Sequence, residues 1–134
     1  MDPARHRRGL VVTAASTLTG AAVGFANQSI GYAGGYGFIA NAAWDFGPYA
    51  TTADASVVGC AIDFAAGKVW FAVNGVWQNG NPATGAGGSA TTFANGPVFP
   101  MFGSENGKSS SCSANFGGSA FGNPVLAGFS GRAA

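Results

Sequence analysis

Apolar positions along this chain come in short runs that alternate with small or polar residues, and Gly, Asn, Pro and Ser interrupt them before a helical period holds for three turns. The pattern predicts little helix and short strands over residues 10–15, 21–26, 37–40, 57–64, 68–73, 76–78, 98–102 and 111–116. Many short strands separated by turn signals imply an all-β sandwich or barrel.

The sharpest prediction lies in "VVGCAIDFAAGKVWFAVNGVWQNG", residues 57–80. "AIDF", "AAGK" and "VWFAV" read as strand, tight turn and strand, with Gly67 free to take the positive φ that closes the turn. Asn74-Gly75 then signals a two-residue type I′ hairpin, which fixes register: Val73 opposite Val76, and Ala72 opposite Trp77. Val69, Phe71, Val73 and Val76 are expected on a core face with Ile62 and Phe64. Lys68, Trp70, Ala72, Asn74 and Trp77 fall on the other. Diagonal cross-strand neighbours lie about 7 Å apart, so Trp70 and Trp77 form either an aromatic shelf for a ligand or a packed pair under a covering segment. Two covers stay open equally, the N-terminal segment and residues 78–97, "QNGNPATGAGGSATTFANGP", a long small-residue loop whose one large apolar residue is Phe93.

With 134 residues the chain has room for one domain. The expected division is a basic segment at residues 1–9, a sandwich over 10–122 and an edge segment with a tail over 123–134. Charged residues make up 8%, against roughly 25% in an average soluble protein. That scarcity suits an extracellular or virion surface. A net charge of +1 gives no field to steer nucleic acid. Arg5, His6, Arg7 and Arg8 read as a solvated tail. Thr13, Ser16, Thr17 and Thr19 dilute the apolar stretch that follows, so a cleaved signal peptide is not expected, and no run is apolar enough for a membrane helix. Strand parity places Cys60 and Cys112 facing the core as two buried thiols; a disulfide between them would require Cα atoms within about 7 Å, which spacing in the sequence does not establish.

Five elements occur in order: "VVGCAIDF", "GKVWF", "NGVW", "FPMFG" and "ANFG". Together they resemble the SPRY domain, through Gly59, Cys60, Asp63, Lys68, Phe71, Asn74, Gly75, Phe99, Pro100, Asn115, Phe116 and Gly117. "GAAVGFA" and "NAAWDFG" match the family's earlier strands more loosely, and "LVVTAA" lacks the aromatics and glutamate usual in the opening strand. The Gly/Ala/Thr insert is similar to bacterial and phage members. The resemblance implies a twisted two-sheet antiparallel β-sandwich, a concanavalin-like jelly roll, that binds partners through its loops and performs no chemistry.

The residues agree with that implication. One histidine, His6, leaves no Ser-His-Asp or Cys-His arrangement. Asp2, Asp45, Asp54, Asp63 and Glu105 are the only acids, and nothing in their spacing pairs two of them across a glycosidic bond. Asp63 is expected to accept backbone N–H groups at its turn. No metal site and no cofactor are expected, and "GYAGGYG" lacks the lysine of a P-loop. The candidate ligand-binding residues are aromatic: Trp77 and Trp70 on the shelf, and Tyr32, Tyr36, Trp44 and Tyr49 in glycine-rich connections, where rings serve adaptable recognition. For Trp44, core packing is the competing expectation. The expected function is a non-catalytic module recognising a protein, a peptide or a surface glycan on a phage or bacterial surface protein. The alternative is an assembly subunit of a virion, with homo-oligomerisation possible in either case.

Overall fold

The computed structural model describes residues 9–14, 29–91, 98–103, 112–123 and 125–131. Its elements are all strands: β1 (Gly9–Ala14), β2 (Ser29–Ala33), β3 (Phe38–Ala40), β4 (Trp44–Asp45), β5 (Val58–Asp63), β6 (Lys68–Val73), β7 (Val76–Trp77), β8 (Gly80–Asn81), β9 (Ala86–Gly87), β10 (Ser89–Ala90) and β11 (Val98–Gly103). One antiparallel sheet runs β11-β1-β2-β3-β4. The second has β6 at its centre, with β5 on one side and β7 and β10 in tandem on the other, while β8 and β9 form a separate ribbon. Among the described residues no helix is long and apolar enough to cross a membrane.

The core joins the two sheets face to face. Ile30, Tyr32 and Ile39 come from the first sheet, and Val69, Phe71 and Val73 from the second. The Tyr32 and Phe71 rings meet across the interface with centroids 5.6 Å apart. This is the all-β, two-sheet architecture that the pattern and the resemblance implied. The register also matches: Val73 pairs with Val76 and Ala72 with Trp77. Asn74 and Gly75 both take positive φ, 49° and 81°, as a type I′ turn demands. Asp63 accepts the Ala66 N–H at 2.9 Å, the turn role expected of it.

Three expectations about faces fail. Val76 and Phe64 are exposed rather than buried, because each sits where its strand runs into a turn, beyond the cover of the opposite sheet. Residues 112–116 form no strand, and Cys112 and Phe116 are exposed. Cys60 does pack against the core cluster, and burial pushes its thiol up to about 12. Both cysteines are free. The proposed strand at 21–26, the basic segment at 1–8 and Phe93 lie outside the described residues. β4 falls within "NAAWDFG", where the resemblance implied a strand, whereas β2, β8, β9 and β10 were not foreseen: each is short and lies in glycine-rich sequence.

β6 is buried on both faces, from Val69 to Val73. The outward Trp70 is covered by the excursion of residues 79–88. Its Nε1–H donates to the Ala86 carbonyl at 3.0 Å, and a Cβ on Gly88 would lie 2.7 Å from the indole. Departure of the chain at Gln78 would break the ladder along β6, and the Asn79 carboxamide repairs it. Its Oδ1 accepts the Phe71 N–H at 2.9 Å, and its Nδ2 donates to the Val69 carbonyl at 3.0 Å and to Ser89 Oγ at 2.9 Å. The Gly88 N–H then closes the neck on the Asn79 carbonyl at 2.7 Å, and Ser89 resumes pairing opposite Val69.

Replacing this amide would strand two backbone groups of a buried strand, each costing about 1–3 kcal/mol. Asn79→Ala is therefore expected to lower stability by about 2–4 kcal/mol in urea unfolding. A loss near that of a surface substitution, about 0.5 kcal/mol, would show that the ladder does not need the amide.

Candidate functional site

The outer face of the first sheet carries a strip of aromatic rings at its β4 edge. In β3, Ile39 points to the core, and the pleat turns its neighbours Phe38 and Ala40 to the opposite face. Ala40 pairs with Trp44, and the next pair of that face brings Phe38 against Phe46. The turn between the strands is held by the Asn41 N–H on the Ala43 carbonyl, and the Asn41 side chain donates to the Ala90 carbonyl at 2.7 Å, tying the hairpin to β10.

Phe38 is the base of the strip, 4% exposed. Trp44 and Phe46 lie over it, 44% and 70% exposed. Their two rings are nearly parallel, 7° apart with centroids at 6.1 Å. Phe38 meets both edge-on, at 4.4 Å and 5.9 Å. Tyr36, half-buried in the β2–β3 turn, extends the row at 6.0 Å from Phe38. A ring thickness of about 3.5 Å, set by carbon–carbon contact, leaves no slot between Trp44 and Phe46 for an inserted group. The surface offered to a ligand is the outer side of the stack.

Asp45 alternates with these rings and braces the chain behind them. Its Oδ2 accepts the Tyr49 hydroxyl at 2.7 Å and its Oδ1 accepts the Gly47 N–H at 3.2 Å. Tyr49 packs against the core cluster. Burial first, then the hydrogen bond and charge of Asp45, push its phenol up to about 12. Among the described residues no cluster of three His, Cys, Asp or Glu side chains is placed to hold a metal ion.

The structure thus gathers Trp44 and Tyr36 in one strip with Tyr49 behind it. Trp44 is at the surface, against the expectation of core packing, because β4 is the last strand of its sheet. Two candidates are not at a rim. Tyr32 is fully buried, its hydroxyl donating to the Ala50 carbonyl, and Trp70 is 1% exposed beneath residues 79–88. The shelf of Trp70 and Trp77 is therefore not an open surface. Trp77 is half-buried on β7, in the other sheet. Phe46 escaped the sequence reading, although its alternation with Asp45 and Trp44 just before Gly47-Pro48 was a usable signal.

The buried acids set a pH limit. Burial also raises the Tyr32 phenol to about 12. Between the ordinary values of 9.0 for a thiol and 10.0 for a phenol and the folded values near 12, the unfolded chain releases protons that the folded chain keeps. Rising pH then favours unfolding. The contribution of Cys60, Tyr32 and Tyr49 should be intact below pH 9 and lost progressively toward about pH 12. The urea midpoint followed across that window, beside tyrosinate absorbance, checks this; a midpoint that stays level throughout would contradict it.

Comparison with known proteins gives one family. The family described as the SPRY domain matches residues 4–119, most of the chain. No curated protein and no solved structure gives a significant match. SPRY domains are in general protein-interaction modules. The matched elements fall where the family motif needs structure: Gly59, Cys60 and Asp63 on β5, Lys68 and Phe71 on β6, Asn74-Gly75 in the hairpin turn, and Phe99-Pro100 on β11. With an all-β two-sheet fold and a family match over most of its length, this chain belongs to the SPRY domain family.

Proposed function

We propose that this SPRY domain is a non-catalytic recognition module that binds an extended segment of a partner protein on the outer side of the Trp44–Phe46 stack. The observation that carries the reading is the pair of parallel rings, open to solvent on the edge strand of a sheet. Aromatic rings held rigidly present large contact area at low entropic cost. Phe38 beneath and the Asp45–Tyr49 brace behind hold the stack in place before a ligand arrives. Among the described residues β4 is the last strand of its sheet, and a strand edge offers backbone groups to an added segment. The Gly/Ala/Thr-rich insert and the 8% of charged residues support a bacterial or phage surface protein as its setting.

A second reading, an assembly subunit of a virion, draws support from apolar side chains exposed elsewhere: Val57, Phe64, Val76, Phe116 and Val125. It requires a fixed oligomer.

The test is titration of the full chain with a panel of extended apolar peptides and, separately, surface glycans, with light scattering on the same samples. Saturable peptide binding by a monomer is expected, weakened at least about tenfold, the 1.4 kcal/mol step typical of a single anchor residue, in Trp44→Ala/Phe46→Ala. Because both side chains are largely outside the core, the double variant should keep its fold. Binding of glycans alone would replace the partner class, and a defined oligomer that binds nothing would favour assembly.

A further inference from the structure

The excursion that covers Trp70 touches it as a ligand would. Lys68 and Trp70 lie two residues apart on β6 and share the face turned away from the core. Each donates one hydrogen bond to the excursion, Lys68 Nζ to the Gly85 carbonyl and Trp70 Nε1 to the Ala86 carbonyl, both at 3.0 Å. Two successive peptide carbonyls are therefore met by two side-chain donors. Gly88 then crosses the indole so closely that a Cβ there would stand 2.7 Å from Cε2, 2.9 Å from Nε1 and 3.0 Å from Cζ2. Ala72 and, through its pairing, Trp77 continue the same face, with Trp77 in the diagonal position about 7 Å from Trp70.

What seats the excursion is almost all backbone. Of residues 80–87 only Pro82 is buried, and the others are exposed. Burial of apolar side chains therefore contributes little to closure. The β8–β9 ribbon pairs within itself, Gly80 with Gly87 and Asn81 with Ala86, so those pairs survive if it lifts as a unit. Its two ends carry glycines at positive φ, Gly80 at 128° and Gly88 at 83°, where no Cβ restricts rotation. Asn79 stands outside the ribbon, and lifting leaves its repair of the β6 ladder in place. A chain segment supplied in trans can reproduce the bonds to Lys68 and Trp70 that lifting breaks. Its requirements are those that residues 85–88 meet: an extended backbone, two carbonyls in succession, and glycine over the indole.

We infer that the outer face of β6 and β7 is a second binding site, closed in cis by residues 85–88, whose external ligand is a glycine-rich extended segment of another protein that displaces the ribbon. The site lies on the other sheet from the Trp44–Phe46 stack and stands or falls independently of the recognition proposed there. The ribbon competes at the high effective concentration of a tethered segment, so an opened chain binds such a ligand at least about tenfold more tightly than the closed parent.

The experiment uses the full chain labelled with fluorotryptophan, the Trp70 resonance being assigned with Trp70→Phe. Gly88→Ala is the opening variant, because its methyl group has no room against the indole. The probe is a synthetic peptide Thr-Gly-Ala-Gly-Gly, the sequence of residues 84–88. The variant is expected to shift the Trp70 fluorine resonance and give it the heavy-water isotope shift of a solvent-exposed indole. The peptide then returns that resonance saturably toward its parent position, at concentrations at least about tenfold below those that act on the parent chain. Thr-Gly-Ala-Gly-Ala, which restores the blocked methyl group, does not. Adding Lys68→Met to the opened variant weakens peptide binding about two- to tenfold, the loss of one hydrogen bond. An exposed Trp70 that no peptide returns overturns the inference, as does a Trp70 that stays shielded in Gly88→Ala. A glycan that returns the resonance where the peptide fails overturns the ligand class. If Gly88→Ala does not fold, hydrogen exchange of the parent chain decides. The Trp70 indole N–H should then show at least about tenfold less protection than the Phe71 amide, which Asn79 still holds when the ribbon lifts. Equal protection means that Trp70 is uncovered only when β6 unfolds, and overturns the inference.

Discussion

The fold depends on keeping β6 hydrogen-bonded along both edges while the chain beside it leaves the sheet. β6 is buried on both faces, so neither of its edges has water as a substitute partner. On one side β5 pairs with it over its whole length. On the other, β7 covers only the end near the hairpin and β10 only the beginning. Asn79 spans the gap because a primary carboxamide carries the same donor and acceptor as a peptide group. The ladder stays closed, and the ten-residue excursion between Asn79 and Gly88 becomes possible without cost to the core. Trp70 then gains a lid and a partner for its indole N–H from the same excursion.

The same economy of polar groups shapes the surface strip. Asp45 spends both carboxylate oxygens on Tyr49 and Gly47, which fixes the bend after β4 and with it the angle at which Phe46 lies beside Trp44. A side chain so engaged is a brace. What remains at the β4 edge of the outer face is a strip of rings resting on rings, with Phe38 as their foundation. In the proposed function such a surface would discriminate by shape and stacking, and would draw its strength from being rigid beforehand. That agrees with membership of a family of interaction modules.

Several features were legible in the residues because they are local. The Asn74-Gly75 turn dictates its own register, as positive φ at two successive positions leaves little choice. Asp63 beside Gly67 specifies its turn in the same way. The inward alternation of Val69, Phe71 and Val73 follows from the pleat. Tyr32 was harder: Gly31 before it and Gly34-Gly35 beyond Ala33 made it look like a loop residue, yet β2 pairs with β3 there and carries the ring into the core.

The sequence by itself determined the all-β class, the β5–β6 and β6–β7 hairpins and which face of β6 meets the other sheet, since these depend on alternation and on turn residues that act over two to six positions. Only the tertiary structure decided which aromatic side chains are open. Alternation says that Trp70 points away from the core, but it does not say whether anything lies above it, and for Trp44 the residues left core packing and exposure both open. Trp70 is on a central strand under a returning loop, and Trp44 is on the last strand of its sheet. Exposure is a property of what chain segments distant in sequence bring overhead, and that information exists only once the sheets are assembled.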